Sequence, residues 1–232
     1  MYMCFNATTS LITFSISILC AGYLLYNGFI NNNKCDFFFG IIVLLIGLMQ
    51  LVEFFLWKNQ SCNKNNHFFS LLIWVLLYLQ PIITCITYYH LYPQNRFFSV
   101  RFITFYYLLY SACSLYILHY LTTLSLCTKP SANSCRLVWA PFSIKQNIFL
   151  LYFSLALYFG FGTIFSIETF LNHYSDIMRY RIRYLFLPIT LFISIIYVYY
   201  KESFSFISSS DFFGSLWCFL AVFLGVVGVL HI

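Results

Sequence analysis

Seven apolar segments dominate the chain, and each is long enough to cross a bilayer. A hydrocarbon core about 30 Å thick requires about 20 residues of helix. Only 8% of the 232 residues are charged, whereas soluble domains average about 25%, so the chain has too few charges to cover a water-facing surface. The sequence therefore predicts an all-α, polytopic membrane protein with one transmembrane domain over 1–232 and spans at about 11–30, 37–57, 68–91, 99–121, 148–171, 184–200 and 212–231.

Several classes of function find little support in the sequence. The net charge of +6 is spread over the linkers and forms no basic block, which argues against a nucleic-acid partner. The sequence has no HExxH, no GxSxG and no Gly-rich phosphate loop, so we expect no metal and no cofactor, and the case for an enzyme is weak. The first span lacks a basic n-region and a small-residue cleavage site, so we interpret it as a retained helix.

The orientation in the membrane rests mainly on sequons and cysteines, because the basic residues do not decide it. With the N-terminus outside, the inner and outer loops each hold six Lys or Arg residues, so the positive-inside rule gives a tie. Two N-glycosylation sequons, at Asn6 and Asn59, lie on the N-terminal side. We expect the N-terminus to be extracytoplasmic and the C-terminus cytoplasmic, and the cluster of Arg179, Arg181 and Arg183 suits that inner face.

Four cysteines also fall on the N-terminal side of the membrane, in or beside the segments between spans: Cys4, Cys62, Cys127 and Cys135. An even set that faces one compartment suits one or two disulfides if that compartment is oxidising. We predict that Cys62 pairs with Cys127 or Cys135. The alternative is a chance grouping in a chain that holds nine cysteines.

An internal repeat relates the second and fifth spans. GLMQLVEFFL at 47–56 aligns without gaps to GTIFSIETFL at 162–171, and the next span carries a proline in each case, Pro81 and Pro188. Seven spans place the second and fifth helices in opposite directions, so the repeat would be inverted, with three spans plus three and the seventh left over. An accidental match between helices rich in Phe, Leu and Ile is the alternative.

The second span carries polar side chains on one helical stripe, formed by Gly47, Gln50, Glu53 and Trp57. Trp57 marks the membrane interface, so Glu53 would lie about 6 Å inside it at about 1.5 Å per residue. A charge at that depth costs on the order of 1–3 kcal/mol unless it is paired, protonated or hydrated. Two interpretations remain open: a structural contact between helices, or a site for a proton, a cation or a substrate.

Five further residues extend this candidate site. Gln80 and Thr84 lie on either side of Pro81 in the following span and could bind the same solute or ion. Pro81 and Pro188 each remove one backbone hydrogen bond and free a carbonyl, so both are candidate hinges. Glu168 is a second candidate carboxylate, but its closeness in sequence to the arginines at 179–183 favours an ion pair.

The segment LMQLVEFFLWKN, followed by LYLQPI, resembles a signature of uncharacterised multi-spanning membrane proteins of large DNA viruses and some microbes. The recurring element is Met-Gln-x-x-Glu-x-x-x-Trp, with a Gln-Pro in the next span, and it covers residues 49–81 of this chain. The resemblance implies a family and no activity.

These features favour a small membrane transporter or channel with an intramembrane carboxylate site. Its expected partners are the lipid bilayer, an unknown small solute or ion, and a second copy of the chain in a homo-oligomer. The alternative is a non-catalytic protein, either receptor-like or a structural component of a viral envelope or an organelle membrane. A membrane-embedded lipid-modifying enzyme that uses Glu53 with His90 or His119 is a third hypothesis.

Overall fold

A computed structural model describes residues 6–92, 99–130, 137–142, 156–160 and 222–230, together with the single positions 149, 153, 189, 190, 192, 193 and 196. Four long helices make up most of these residues. They are α1 (Ala7–Ile30), α2 (Lys34–Lys58), α3 (Lys64–Leu91) and α4 (Val100–Thr122). Each of the four is long and apolar enough to cross a membrane, so the first four predicted spans are confirmed as helices of that kind.

The remaining predicted spans lie largely outside the described residues. Residues 156–160 are helical within the predicted fifth span, and α5 (Phe223–Val229) is a short helix within the predicted seventh. The repeat partner at 162–171 and the second proline, Pro188, fall outside the described part of the chain. The inverted repeat therefore stays a prediction.

Polar caps explain why three of the four helices begin before the apolar segments do. The side-chain oxygens of Asn6, Asn33, Asn63 and Ser99 accept hydrogen bonds from backbone N–H groups two or three residues later. These N–H groups have no partner within the helix, and a capping side chain contributes about 1 kcal/mol. Helices α1 to α3 consequently start three or four residues before the hydropathy-based boundaries.

Small residues bring α1 and α2 into close contact. A Cβ atom added to Gly28 would lie 2.5 Å from the backbone nitrogen of Phe37, and one added to Gly47 would lie 2.7 Å from Cβ of Ser17. A Cβ on Gly40 would meet the side chain of Leu25 at 2.7 Å. Because lipid is as apolar as the helices, association in a membrane depends on such close packing of small residues.

Pro81 interrupts the hydrogen bonding of α3 and is compensated by α4. A proline has no N–H, so the carbonyl of Leu77, four residues earlier, loses its usual helical partner. The hydroxyl of Tyr110 on α4 donates to this carbonyl at 3.2 Å and lies 3.4 Å from the carbonyl of Tyr78. The proline-containing turn of α3 is thus joined to α4 through one buried tyrosine.

The segment after α4 folds back onto the ends of α2 and α3. It contains a two-stranded antiparallel hairpin, β1 (Lys129–Pro130) with β2 (Leu137–Val138), followed by one 3-10 turn at Ala140–Phe142. This small hairpin adds β structure to a chain that the sequence predicts to be all-α. We call residues 124–130 and 137–142 the capping loop.

Candidate functional site

One disulfide anchors the capping loop to the helix bundle. Cys62, in the turn between α2 and α3, is bonded to Cys127, and their Cα atoms are 5.0 Å apart. This is one of the two pairings that the sequence predicts for Cys62. Cys4 and Cys135, the other candidates, lie outside the described residues. We call the side of the bundle that carries this bond the disulfide end.

Asn66 holds the backbone of the capping loop in the manner of a paired strand. Its Nδ2 donates to the carbonyl of Thr128 at 2.8 Å, and its Oδ1 accepts from the N–H of Thr128 at 2.8 Å. The hydroxyl of Thr128 lies 2.7 Å from that of Ser70 and accepts from the N–H of Ala140 at 3.0 Å. All four residues are buried, so these bonds fix the position of the capping loop on α3.

Trp139 of the capping loop contacts the carboxylate of Glu53 directly. Its indole N–H donates to Oε1 of Glu53 at 3.1 Å. Glu53 is 3% exposed and lies five residues from the end of α2, a depth of about 8 Å at about 1.5 Å per residue. Met49, Val52 and Leu137 pack in the same cluster as the indole. The carboxylate is therefore enclosed by apolar side chains and bonded to a residue of the loop.

Gln50 lies one turn deeper on the same stripe of α2 and is bonded to α1. Its Oε1 accepts from the hydroxyl of Thr13 at 2.8 Å, and the residue is 1% exposed. Its Nε2 has no hydrogen-bond partner within the described part of the protein. A buried amide that leaves its donor unused costs roughly 1–3 kcal/mol, so Gln50 retains the capacity to bind a further acceptor.

Gln80 belongs to a different level of the bundle from Glu53. It lies 16 residues into α3, which corresponds to a depth of about 24 Å from the disulfide end at about 1.5 Å per residue. Its Oε1 accepts from the hydroxyl of Tyr158 at 2.6 Å, while its Nε2 has no partner among the described residues. Thr84 lies one turn further on and is half-buried. The predicted set therefore divides into a shallow group on α2 and a central group on α3.

A second buried carboxylate occupies the opposite end of the bundle, and the sequence analysis missed it. Asp36 is 0% exposed in the first turn of α2 and accepts hydrogen bonds from Nδ2 of Asn27 and, at 3.0 Å, from Nδ2 of Asn33. A carboxylate is also favoured at a helix N-terminus by the helix dipole. The signal that could have identified it is an acid inside an Asn-rich turn between two spans.

Trp139 and Thr13 are also partners that the sequence analysis missed. Trp139 stands in the run LVWAP, which is apolar but too short to span a membrane and lies near Cys127. That combination of short length, apolar character and a nearby cysteine is the available signal for a loop that packs onto the bundle. Thr13 has no distinguishing pattern in α1, since the helix holds several hydroxyl residues.

Glu168 lies outside the described residues, so its place relative to Glu53 stays a prediction. In the described part of the chain, no group of three or more His, Cys, Asp or Glu residues is arranged to hold a metal ion. The residues of the Met-Gln-x-x-Glu signature, Met49, Gln50 and Glu53, are all buried in α2. No protein-family model, no curated protein and no solved structure matches the chain.

Proposed function

We propose that the protein is a multi-pass membrane transporter or channel for a small solute or ion, with Glu53 as its intramembrane carboxylate site. The supporting observation is the contact between Glu53 and Trp139. It joins an acidic side chain inside a predicted span to a loop outside it. In the proposed mechanism the capping loop closes the path at the disulfide end, and Trp139 is the closing residue.

The electrostatics of Glu53 support a role beyond packing. Over the described helices α1 to α4, Glu53 is the one Asp, Glu, Lys or Arg that lies away from the first and last turns. The indole N–H of Trp139 donates a hydrogen bond and carries no charge. A carboxylate buried at this depth is stabilised by binding a proton or a cation. Glu53 is accordingly proposed to exchange one of these when the loop opens.

A structural membrane protein is the second candidate function, and the tight packing around Glu53 favours it. Glu53 is 3% exposed, and its neighbours Met49 and Leu56 are completely buried. The disulfide and the bonds to Thr128 hold the loop over this region. In this interpretation Glu53 and Trp139 lock the loop in place and no solute passes, as in a receptor-like or envelope protein.

Flux through purified protein in vesicles separates the two candidates. We expect wild-type protein to carry protons or small cations, measured with a pH-sensitive or cation-sensitive dye inside the vesicles. Glu53→Gln keeps the size of the side chain and its acceptor oxygen but loses the charge, so flux should fall to the level of protein-free vesicles. Glu168→Gln should have a smaller effect, because the closeness of Glu168 in sequence to the arginines at 179–183 favours an ion pair.

Two results of this experiment contradict the transport proposal or the role of Glu53. If wild-type protein carries no common ion or small solute, the transport function is wrong and the structural candidate stands. If wild type and Glu53→Gln give equal flux, transport stands but Glu53 is structural. Retention of the Cys62–Cys127 disulfide in each variant, checked by mass spectrometry of unreduced peptides, verifies the fold.

The proposed orientation places the disulfide end in the extracytoplasmic compartment. Disulfides persist in oxidising compartments and are rare where thiols are kept reduced. A membrane-impermeant thiol reagent, applied to intact cells after mild reduction, should label Cys62 and Cys127 from outside. Labelling that requires permeabilised cells would reverse the orientation. Glycan occupancy at Asn6 or Asn59 in a eukaryotic host tests the same assignment independently.

A further inference from the structure

The centre of the bundle contains polar groups with unused hydrogen-bonding capacity. Gln80 is 7% exposed, and its Nε2 has no hydrogen-bond partner in the described part of the protein. The Oγ atom of Ser111 on α4 is also buried and without a partner there. Ser111 lies 11 residues from the end of α4, about 17 Å from the disulfide end at about 1.5 Å per residue. Both groups are thus at membrane depth, where water is scarce.

Three tyrosine hydroxyls of this region donate to other acceptors, and Nε2 of Gln80 is bonded to none of them. The hydroxyl of Tyr158 donates to Oε1 of Gln80, at 2.6 Å. The hydroxyl of Tyr110 donates to the carbonyl that Pro81 leaves free. The hydroxyl of Tyr106 donates to the carbonyl of Leu157 at 2.9 Å. Because no group in the described part of the protein accepts from Nε2 of Gln80, both of its hydrogens remain for another acceptor.

A proline of α3 lies beside this amide. Gln80 immediately precedes Pro81, and the aromatic rings of Tyr78 and Tyr110 stack within the same turn, with centroids 5.8 Å apart. An amide with unused donors and two aromatic rings therefore lie at one level of the bundle. Small-molecule sites usually combine a few polar groups with apolar surroundings in this way.

Among the described helices α2 to α4, the charge pattern favours an uncharged occupant at this level. In α3, no Asp, Glu, Lys or Arg follows Lys64, and in α4 none follows Arg101. In α2, the stretch between Asp36 and Glu53 also contains none. An ion bound beside Gln80 would therefore have no counter-charge on these helices, and an unpaired charge in hydrocarbon is strongly disfavoured.

We propose that Gln80 binds a small uncharged solute through a carbonyl or hydroxyl oxygen, at a central site separate from Glu53. The inference rests on the proposed transport function and names its substrate class. Glu53, about 8 Å deep, exchanges the proton or cation, and Gln80, about 24 Å deep, holds the neutral solute, both depths at about 1.5 Å per residue. The Nε2 hydrogens of Gln80 donate to the solute, while Tyr158 fixes the orientation of the amide.

Urea and guanidinium are the probes, because they have nearly the same shape and differ by one charge. Uptake into vesicles that contain the protein is followed by light scattering. We expect wild-type protein to raise urea uptake above that of protein-free vesicles and to leave guanidinium uptake unchanged. Gln80→Leu keeps the volume but removes the donors, so urea uptake should fall about tenfold, the loss expected for a hydrogen bond that is removed from a buried site.

A lipid-facing control and a binding measurement make the test decisive. Ile86, which is 60% exposed on α3, is changed to alanine and should leave urea uptake unaltered. Binding of labelled acetamide to purified wild type and Gln80→Leu is measured by equilibrium dialysis. If wild-type protein binds acetamide but does not take up urea, the solute site stands and the transport function is wrong. If urea and guanidinium are taken up equally, the site does not select uncharged solutes. If wild-type protein shows neither binding nor uptake, the proposed site is wrong.

Discussion

The indole nitrogen of Trp139 lies 3.1 Å from Oε1 of Glu53, and this one bond joins residues 86 positions apart. Trp139 belongs to the capping loop, whereas Glu53 belongs to a helix that is long and apolar enough to cross a membrane. Both side chains are buried. The position of the loop and the environment of the carboxylate are therefore set by the same contact, and a change in one alters the other.

Replacement of Trp139 by phenylalanine should destabilise the protein by about 1–3 kcal/mol, because a buried acceptor loses its donor while most of the aromatic surface is kept. Thermal unfolding in detergent measures the effect. Trp57→Phe is the matched control, since Trp57 is only partly buried and lies one turn nearer the helix end. Equal losses for the two variants would show that the indole N–H of Trp139 contributes nothing beyond packing.

Replacement of two glycines in α1 by alanine should have different effects on the stability of the protein. A Cβ on Gly28 would lie 2.5 Å from the backbone of Phe37, so Gly28→Ala forces α1 and α2 apart and should cost about 1–3 kcal/mol. A Cβ on Gly22 meets nothing within 4 Å, so Gly22→Ala should be neutral or stabilise the helix by up to about 1 kcal/mol. The free energy of unfolding in mixed micelles distinguishes them. Similar values for both variants would contradict the close approach at Gly28.

The first four helices could be predicted from the sequence because a run of about 20 apolar residues is a local signal. The position of Glu53 on one helical stripe with Gln50 and Trp57 also followed from a local feature, the spacing of these residues in the sequence. The identity of its partner did not, because Trp139 is 86 positions away and meets Glu53 only through the tertiary fold of the capping loop. The burial of Asp36 could not be predicted for a related reason. It depends on the way in which Asn27 and Asn33 close the turn around its carboxylate.

The disulfide should make the capping loop sensitive to reductant. The bond joins residues 65 positions apart, and closing a loop of that length stabilises a protein by roughly 2–4 kcal/mol. Dithiothreitol should therefore lower the unfolding temperature of wild-type protein to that of Cys62→Ser. The variant itself should not respond to the reagent, which controls for other effects of reduction. An unchanged unfolding temperature for reduced wild-type protein would contradict this contribution.

Tyr110 and Pro81 should show strong energetic coupling, because both determine whether the carbonyl of Leu77 has a hydrogen-bond donor. Tyr110→Phe removes the hydroxyl that donates to Leu77 at 3.2 Å, and in the presence of Pro81 the carbonyl is left buried without its donor. We expect a loss of about 1–3 kcal/mol in the free energy of unfolding. Pro81→Ala restores an N–H that can bond to Leu77 within the helix. In that background Tyr110→Phe should cost clearly less.

A double-mutant cycle of wild type, the two single variants and the double variant measures this coupling. The readout is the free energy of unfolding in mixed micelles. Tyr107→Phe, on the same helix and half-buried, controls for the loss of a hydroxyl from α4 in general. A coupling energy near zero would mean that Tyr110 does not compensate for Pro81. A positive coupling, with Tyr107→Phe showing none, would establish that α4 stabilises the interrupted turn of α3. That turn carries Gln80, so the same bond also positions the residue proposed to bind the solute.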